Sequence, residues 1–183
     1  MHCLARRSVA LVALLGGCAA PATVGPGPTR ELVLGYDDAR ATGTLAFPSE
    51  GYESVIRFQL PDGEHRPLRL WLQAEAVGRL EITIYDNTFF ETPGNAIQTL
   101  TREISAADLS NGKDGRWVVE DLAGLKPLKG TVWIGVHKTG GTPTIWASGV
   151  ASGQTFVRDN DPSNPMGLLP TKHTPMIRLE LAP

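Results

Sequence analysis

The chain has 183 residues, with 17 Lys and Arg against 19 Asp and Glu, four His, two Cys and a formal net charge of −2. That length suits one domain with a sizeable core, and a charge near zero without a basic stripe argues against nucleic acid as a partner. Two cysteines, Cys3 and Cys18, are too few for a disulfide framework, and beyond the N-terminal run no apolar stretch is long enough to span a bilayer.

The first residues have three parts: a positive stretch with Arg6 and Arg7, an apolar run from Val9 to Leu15, and the small residues Gly16 and Gly17 before Cys18. This is the layout of a secretory signal peptide. The stretch Leu15-Gly16-Gly17-Cys18 resembles the lipobox of bacterial lipoproteins. The resemblance implies removal of residues 1–17, a diacylglycerol on the Cys18 sulfur and a further acyl chain, such as palmitate, on the new amino terminus. One acyl chain holds a protein only marginally, whereas three make the attachment durable. Cys18 is thus the predicted lipidation site. Removing Arg6 and Arg7 from the 17 basic residues leaves 15 against 19 acidic ones, a net charge of −4. Residues 19–29, AAPATVGPGPT, carry small residues and prolines without periodicity, so residues 18–30 read as a lipidated Cys and flexible tether. By resemblance to lipoproteins of double-membrane bacteria, Ala19 in place of an acidic residue favours the outer membrane.

Residues 31–183 are predicted to form a single domain. Strand patterns follow in order over Thr42–Phe47, Ser54–Leu60, Leu68–Ala76, Leu80–Asp86, Trp117–Leu122, Thr131–His137, Thr144–Val150, Gln154–Arg158 and Met176–Leu181, punctuated by PDGE, NGKDG, KTGGTP and DNDPSNP. Ser105–Leu109 reads as one helical turn. Many short strands without intervening helices predict an all-β, two-sheet sandwich. Alternation assigns five inward sets: Ile56, Phe58 and Leu60; Leu70, Leu72 and Ala74; Leu80, Ile82 and Ile84; Val132, Ile134 and Val136; Ile177, Leu179 and Leu181. Arg57, Gln59, Arg69, Gln73, Glu75, Thr83 and Arg178 have the opposite parity and are expected on a wetter face.

The segments LGYDDA (34–39), SVIRFQLP (54–61), ITIYDN (82–87) with Pro93-Gly94, VWIGV (132–136) and PMIRLEL (175–181) resemble a jelly-roll, galactose-binding-like module. Such modules accompany secreted bacterial proteases and surface proteins. The resemblance implies a non-catalytic jelly-roll sandwich, in some members with a structural calcium ion.

Little in the sequence points to catalysis. His65 and His173 lie in proline-bounded polar loops, His137 ends a strand, and none has the spacing of a zinc hydrolase. Ser152 in GVASG lacks the glycine placement of a nucleophile elbow. No catalytic residue is assigned and no cofactor is expected, apart from calcium at Asp159, Asn160 and Asp161, where two carboxylates and an amide fall within three positions; the same residues also suit an ion-free turn. Trp71, Tyr85 and Trp133 point away from the aliphatic layer. The plainer expectation is that loops or long side chains such as Arg69 cover them; the functional one is an exposed platform for a sugar or partner. A direct hairpin of Leu68–Ala76 with Leu80–Asp86 would set Trp71 opposite Tyr85, whereas a jelly roll would put them in different sheets. Phe89 and Phe90 are expected to tuck under their loop, and would mark a contact surface if exposed. The reading that follows is a membrane-anchored, non-catalytic envelope lipoprotein that binds an envelope protein or a glycan. Its alternatives are a structural subunit of an envelope assembly, or a hydrolase with a triad assembled from distant loops.

Overall fold

Alternating aliphatics can be hidden only if two sheets face each other, and the chain does this. The structure, a computed structural model, describes residues 32–111, 116–159 and 166–182. Its strands are β1 (Leu32–Gly35), β2 (Gly43–Ala46), β3 (Tyr52–His65), β4 (Pro67–Leu72), β5 (Ala74–Asn87), β6 (Pro93–Ile104), β7 (Val118–Asp121), β8 (Leu128–Ser148), β9 (Thr155–Asp159), β10 (Met166–Pro170), β11 (Thr174–Pro175) and β12 (Ile177–Leu181). A small antiparallel sheet has the order β1-β12-β4-β7, and a large one has the order β10-β9-β3-β8-β5-β6, with β2 and β11 also paired to β8. All five predicted inward sets belong to the one core between these sheets. The architecture is an all-β, jelly-roll-like sandwich.

The direct hairpin does not form. β4 pairs with β12 and β7 in the small sheet, while β5 lies between β8 and β6 in the large one. The chain changes sheets at a single residue, Gln73, whose amide donates to the Met176 carbonyl at 3.1 Å and whose carbonyl accepts the Trp146 amide at 2.9 Å. Leu70, Leu72 and Ala74 therefore keep one unbroken inward parity across the change of sheet. Gln73 itself is buried, contrary to the wetter face expected for it, and so is Thr83.

Two predicted turns lie inside long strands. KTGGTP falls within β8, where Gly78 and Gly141 face each other across the β5–β8 ladder at φ +150° and +69°. A Cβ on Gly78 would come within 2.9 Å of the Gly140 carbonyl, so the ladder bends here only with glycine on both sides. PDGE is likewise absorbed into the end of β3, at an irregularity between Gln59 and Glu64. β1, β6, β10 and the two-residue β11 were not predicted as strands. The inward positions of β6 are Gln98, Leu100, Arg102 and Ile104, opposite Ile84, Ile82, Leu80 and Gly78. Half of them are polar, and the usual alternation is lost. Arg102 is accommodated by Asp108 at 2.8 Å and Glu120 at 3.2 Å. The predicted helical turn is a 3₁₀ turn at Ala106–Asp108, with the Asp108 carboxylate accepting the Ser105 amide at 2.9 Å and hydroxyl at 2.6 Å.

Candidate functional site

One end of the sandwich gathers the finish of β3, the start of β8, the β7–β8 loop and the turn joining β5 to β6. Together they enclose an open groove of about 740 Å³. Leu60, Val132 and Ile97 give it apolar surface, and Asp62, Glu64, Asp86, Asn87 and Lys129 supply polar groups. The Gln59 side chain accepts the Thr131 hydroxyl at 2.6 Å across the β3–β8 ladder. Asp86 closes the β5–β6 connection by accepting the Asn95 amide at 2.6 Å.

Phe89 and Phe90 follow the lining residue Asn87 in the turn between β5 and β6. Contrary to the expectation that they tuck under their loop, they are 95% and 82% exposed. Their rings meet edge to face at 5.5 Å. The turn that carries them is closed by Glu91 N–H to the Thr88 carbonyl (3.1 Å), Thr88 N–H to the Thr92 carbonyl (2.9 Å) and a bond between the two threonine hydroxyls (2.7 Å). This geometry needs a left-handed residue after the turn, and Glu91 fills that place at φ +55°. Its carboxylate meets Arg57 Nη1 at 2.9 Å. In a turn so short the two Phe side chains occupy the apex and have no surface behind them to bury against.

The aromatic residues predicted to point outward do so, but they form no common platform. Tyr85 and Trp133 are cross-strand partners on the outer face of the large sheet, with Arg57 facing Trp133 from β3. Trp133 is fully buried, 5.6 Å from the Phe156 ring and 5.9 Å from the Arg57 guanidinium, and its indole N–H donates to Asn87 Oδ1 at 2.8 Å. Tyr85 is half-buried and donates its hydroxyl to Glu53 Oε1 at 2.8 Å; Arg158 Nε reaches Glu53 Oε2 at 2.6 Å and lies over the Tyr85 ring at 5.1 Å. This satellite cluster stands on Gly135, where any Cβ would overlap Glu53 Oε1. It underpins the groove and the Phe turn, because Trp133 holds Asn87 and Arg57 holds Glu91. Trp71 lies on the other sheet, where it and Arg69 converge on the buried Glu180 carboxylate at 2.7 and 3.2 Å. Beside it, Arg178 grips Asp37 at 2.6 and 3.0 Å under the Trp117 ring.

Burial, then the adjacent Glu53 charge and the hydrogen bond to it, push the Tyr85 hydroxyl up to about 12. A folded-state value above the unfolded one means that its contribution to stability is complete below about pH 10 and is lost as pH rises toward 12. In an ultraviolet phenolate titration, Tyr85 should ionise late, and Glu53→Gln should bring it down by removing the neighbouring charge. A Tyr85 titration unmoved by Glu53→Gln would refute the coupling.

Of the predicted calcium residues, Asn160 and Asp161 lie outside the described residues, and Asp159 accepts the Ser49 hydroxyl at 2.9 Å. Among the described residues no group of three or more His, Cys, Asp or Glu is placed to hold a metal. Cys18 also lies outside the described residues. The pairing of Glu53 with Arg158 and of Arg57 with Glu91 was not anticipated, since ion pairs between residues distant in sequence leave no local trace. Gly135 did leave one: a lone glycine amid the bulky residues of VWIGV signals a close approach.

No family model matches the chain, and no curated protein matches it. Among solved structures it is similar to the cysteine protease and lectin-like domains of Cwp84, a surface layer associated protein of Clostridium difficile, with a TM-score of 0.61 and 9% identity. The match covers 86% of this chain and 37% of that one, so the chain spans little over a third of that protein's structure, and what they share is the β-sandwich fold.

Proposed function

We propose that the chain is a lipid-anchored, non-catalytic binding module of the cell envelope. Residues 1–17 serve as signal peptide, residues 18–30 as lipidated Cys and tether, and residues 31–183 as a domain that presents its loop-end groove to a glycan. The observation that carries the reading is the groove, in which a short apolar floor lies among carboxylate, amide and ammonium groups. That mixture suits a sugar, whose ring faces are apolar and whose edges are hydroxyls. The likeness to a structure containing a lectin-like domain is compatible with this use of the fold, and Ala19 supports the outer membrane as destination.

Two measurements test it. Wild-type protein should take up a radiolabelled fatty acid and Cys18→Ala should take up none; wild-type protein without label would remove the anchor. Titration with envelope polysaccharide fragments should give saturable heat, and Asp62→Ala with Lys129→Ala should weaken it about tenfold without lowering the melting temperature, since both side chains are exposed. A folded protein that binds no fragment would defeat the glycan assignment.

A further inference from the structure

The geometry points to a second membrane contact: we propose that Phe89 and Phe90 dip into the bilayer that holds the Cys18 lipid, so that the loop end of the sandwich faces the membrane. This rests on the anchor proposed above. The first observation is the turn itself. Two phenyl rings at 95% and 82% exposure are held at an apex by backbone and threonine hydrogen bonds and by the Glu91–Arg57 pair. They are presented already ordered, so insertion costs little further conformational entropy.

The second observation is where the tether joins the domain. Leu32 is level with Leu181, and Leu181 with Pro67, while His65 is level with Leu128 at the start of β8. Asn87 and Pro93 flank the Phe turn at that same end. The tether therefore leaves the sandwich from the end that carries the two rings. From Cys18 to Leu32 the chain can extend to about 50 Å at most, whereas the sheets are only a few strand spacings of about 5 Å across. The turn can reach the bilayer surface without straining the tether, and the anchor keeps its local concentration there high.

Charge specifies the kind of contact. The same end exposes Arg66, Lys126 and Lys129 beside Asp62, Glu64 and Asp121. Such a mixture has no preference for anionic lipid, so the attraction is apolar and should persist at high salt. The groove then lies at headgroup level, and the glycan it meets is one borne by the membrane.

The test uses the mature full-length lipoprotein in vesicles of phosphatidylethanolamine and phosphatidylcholine, with a fluorophore on Phe90→Cys or, at the opposite end, on Val150→Cys. Both positions are exposed, and in the mature chain a lipidated Cys18 leaves the new thiol as the single labelling site. Nitroxide-bearing lipids should quench the label at 90 severalfold more than the label at 150, at low and high salt alike, and adding Phe89→Ser should remove most of that difference. Equal, weak quenching at both positions on a lipidated protein would overturn the membrane contact and leave the anchor intact. So would a label at 90 that responds only when envelope protein extract is added, which would make the turn a protein-docking tip. Mass spectrometry of the N-terminal peptide reads the anchor separately: an unmodified Cys18 would remove both.

Discussion

Ile134→Asp is expected to leave no cooperatively folded domain. Ile134 sits in β8, the strand that joins most of the large sheet, with Ile56 on one side and Ile84 on the other, and it is fully buried. Removing its side chain alone forfeits about 2–4 kcal/mol of burial and packing. The carboxylate adds several kcal/mol, because its ladder neighbours are Ile56 and Ile84, the inward-turned Arg102 is already held by Asp108 and Glu120, and the new acid must either lose water or hold its proton. Since domains of this size are stable by only about 5–15 kcal/mol, the sum removes the fold. Leu72→Asp, in the opposite sheet, should do the same. Circular dichroism and a thermal melt decide it: a cooperative transition near the wild-type temperature in either variant would mean that these residues do not face a closed core.

The second large effect is expected from one methyl group. Gly135→Ala should destabilise the domain by about 2–4 kcal/mol. The new Cβ would overlap Glu53 Oε1 and come within 2.8 Å of the Tyr85 ring. Glu53 cannot swing aside, since its residue is 2% exposed and its two oxygens are held by Tyr85 and Arg158. Displacing it would leave a partly buried guanidinium and hydroxyl poorly paired. Gly124→Ala is the control, because nothing lies within 4 Å of the position its Cβ would take, and it should stay within about 0.5 kcal/mol of wild type. Chemical denaturation of the two variants side by side gives the comparison; equal midpoints would show that the outer cluster yields easily.

Parity was the most legible feature. A strand that buries one face must alternate, and the sets at 56–60, 70–74, 80–84, 132–136 and 177–181 identified both the core and the outward course of Trp71, Tyr85 and Trp133. Sheet membership was not legible, because a one-residue crossover at Gln73 leaves the alternation intact. β6 was hidden because its inward face carries Gln98 and Arg102, whose pairing with β7 and the 3₁₀ turn depends on tertiary placement. The exposure of Phe89 and Phe90 was also out of reach. Aromatic residues in a loop are ordinarily covered, and only the tightness of the Thr88–Thr92 closure shows that these have nothing to fold back on.

The composition of β6 bears on how the protein behaves at high concentration. As the last strand of the large sheet, β6 leaves one row of backbone amides and carbonyls without a strand beyond it. A 12-residue edge of this kind is a template for sheet-to-sheet aggregation between molecules. Arg102, turned inward and held by Asp108 and Glu120, fastens the edge to its own small sheet. A second copy pairing there in register would have to accommodate the same guanidinium against its own apolar layer. The residue that made this strand hard to see in the sequence thus also works against pairing between copies at this edge.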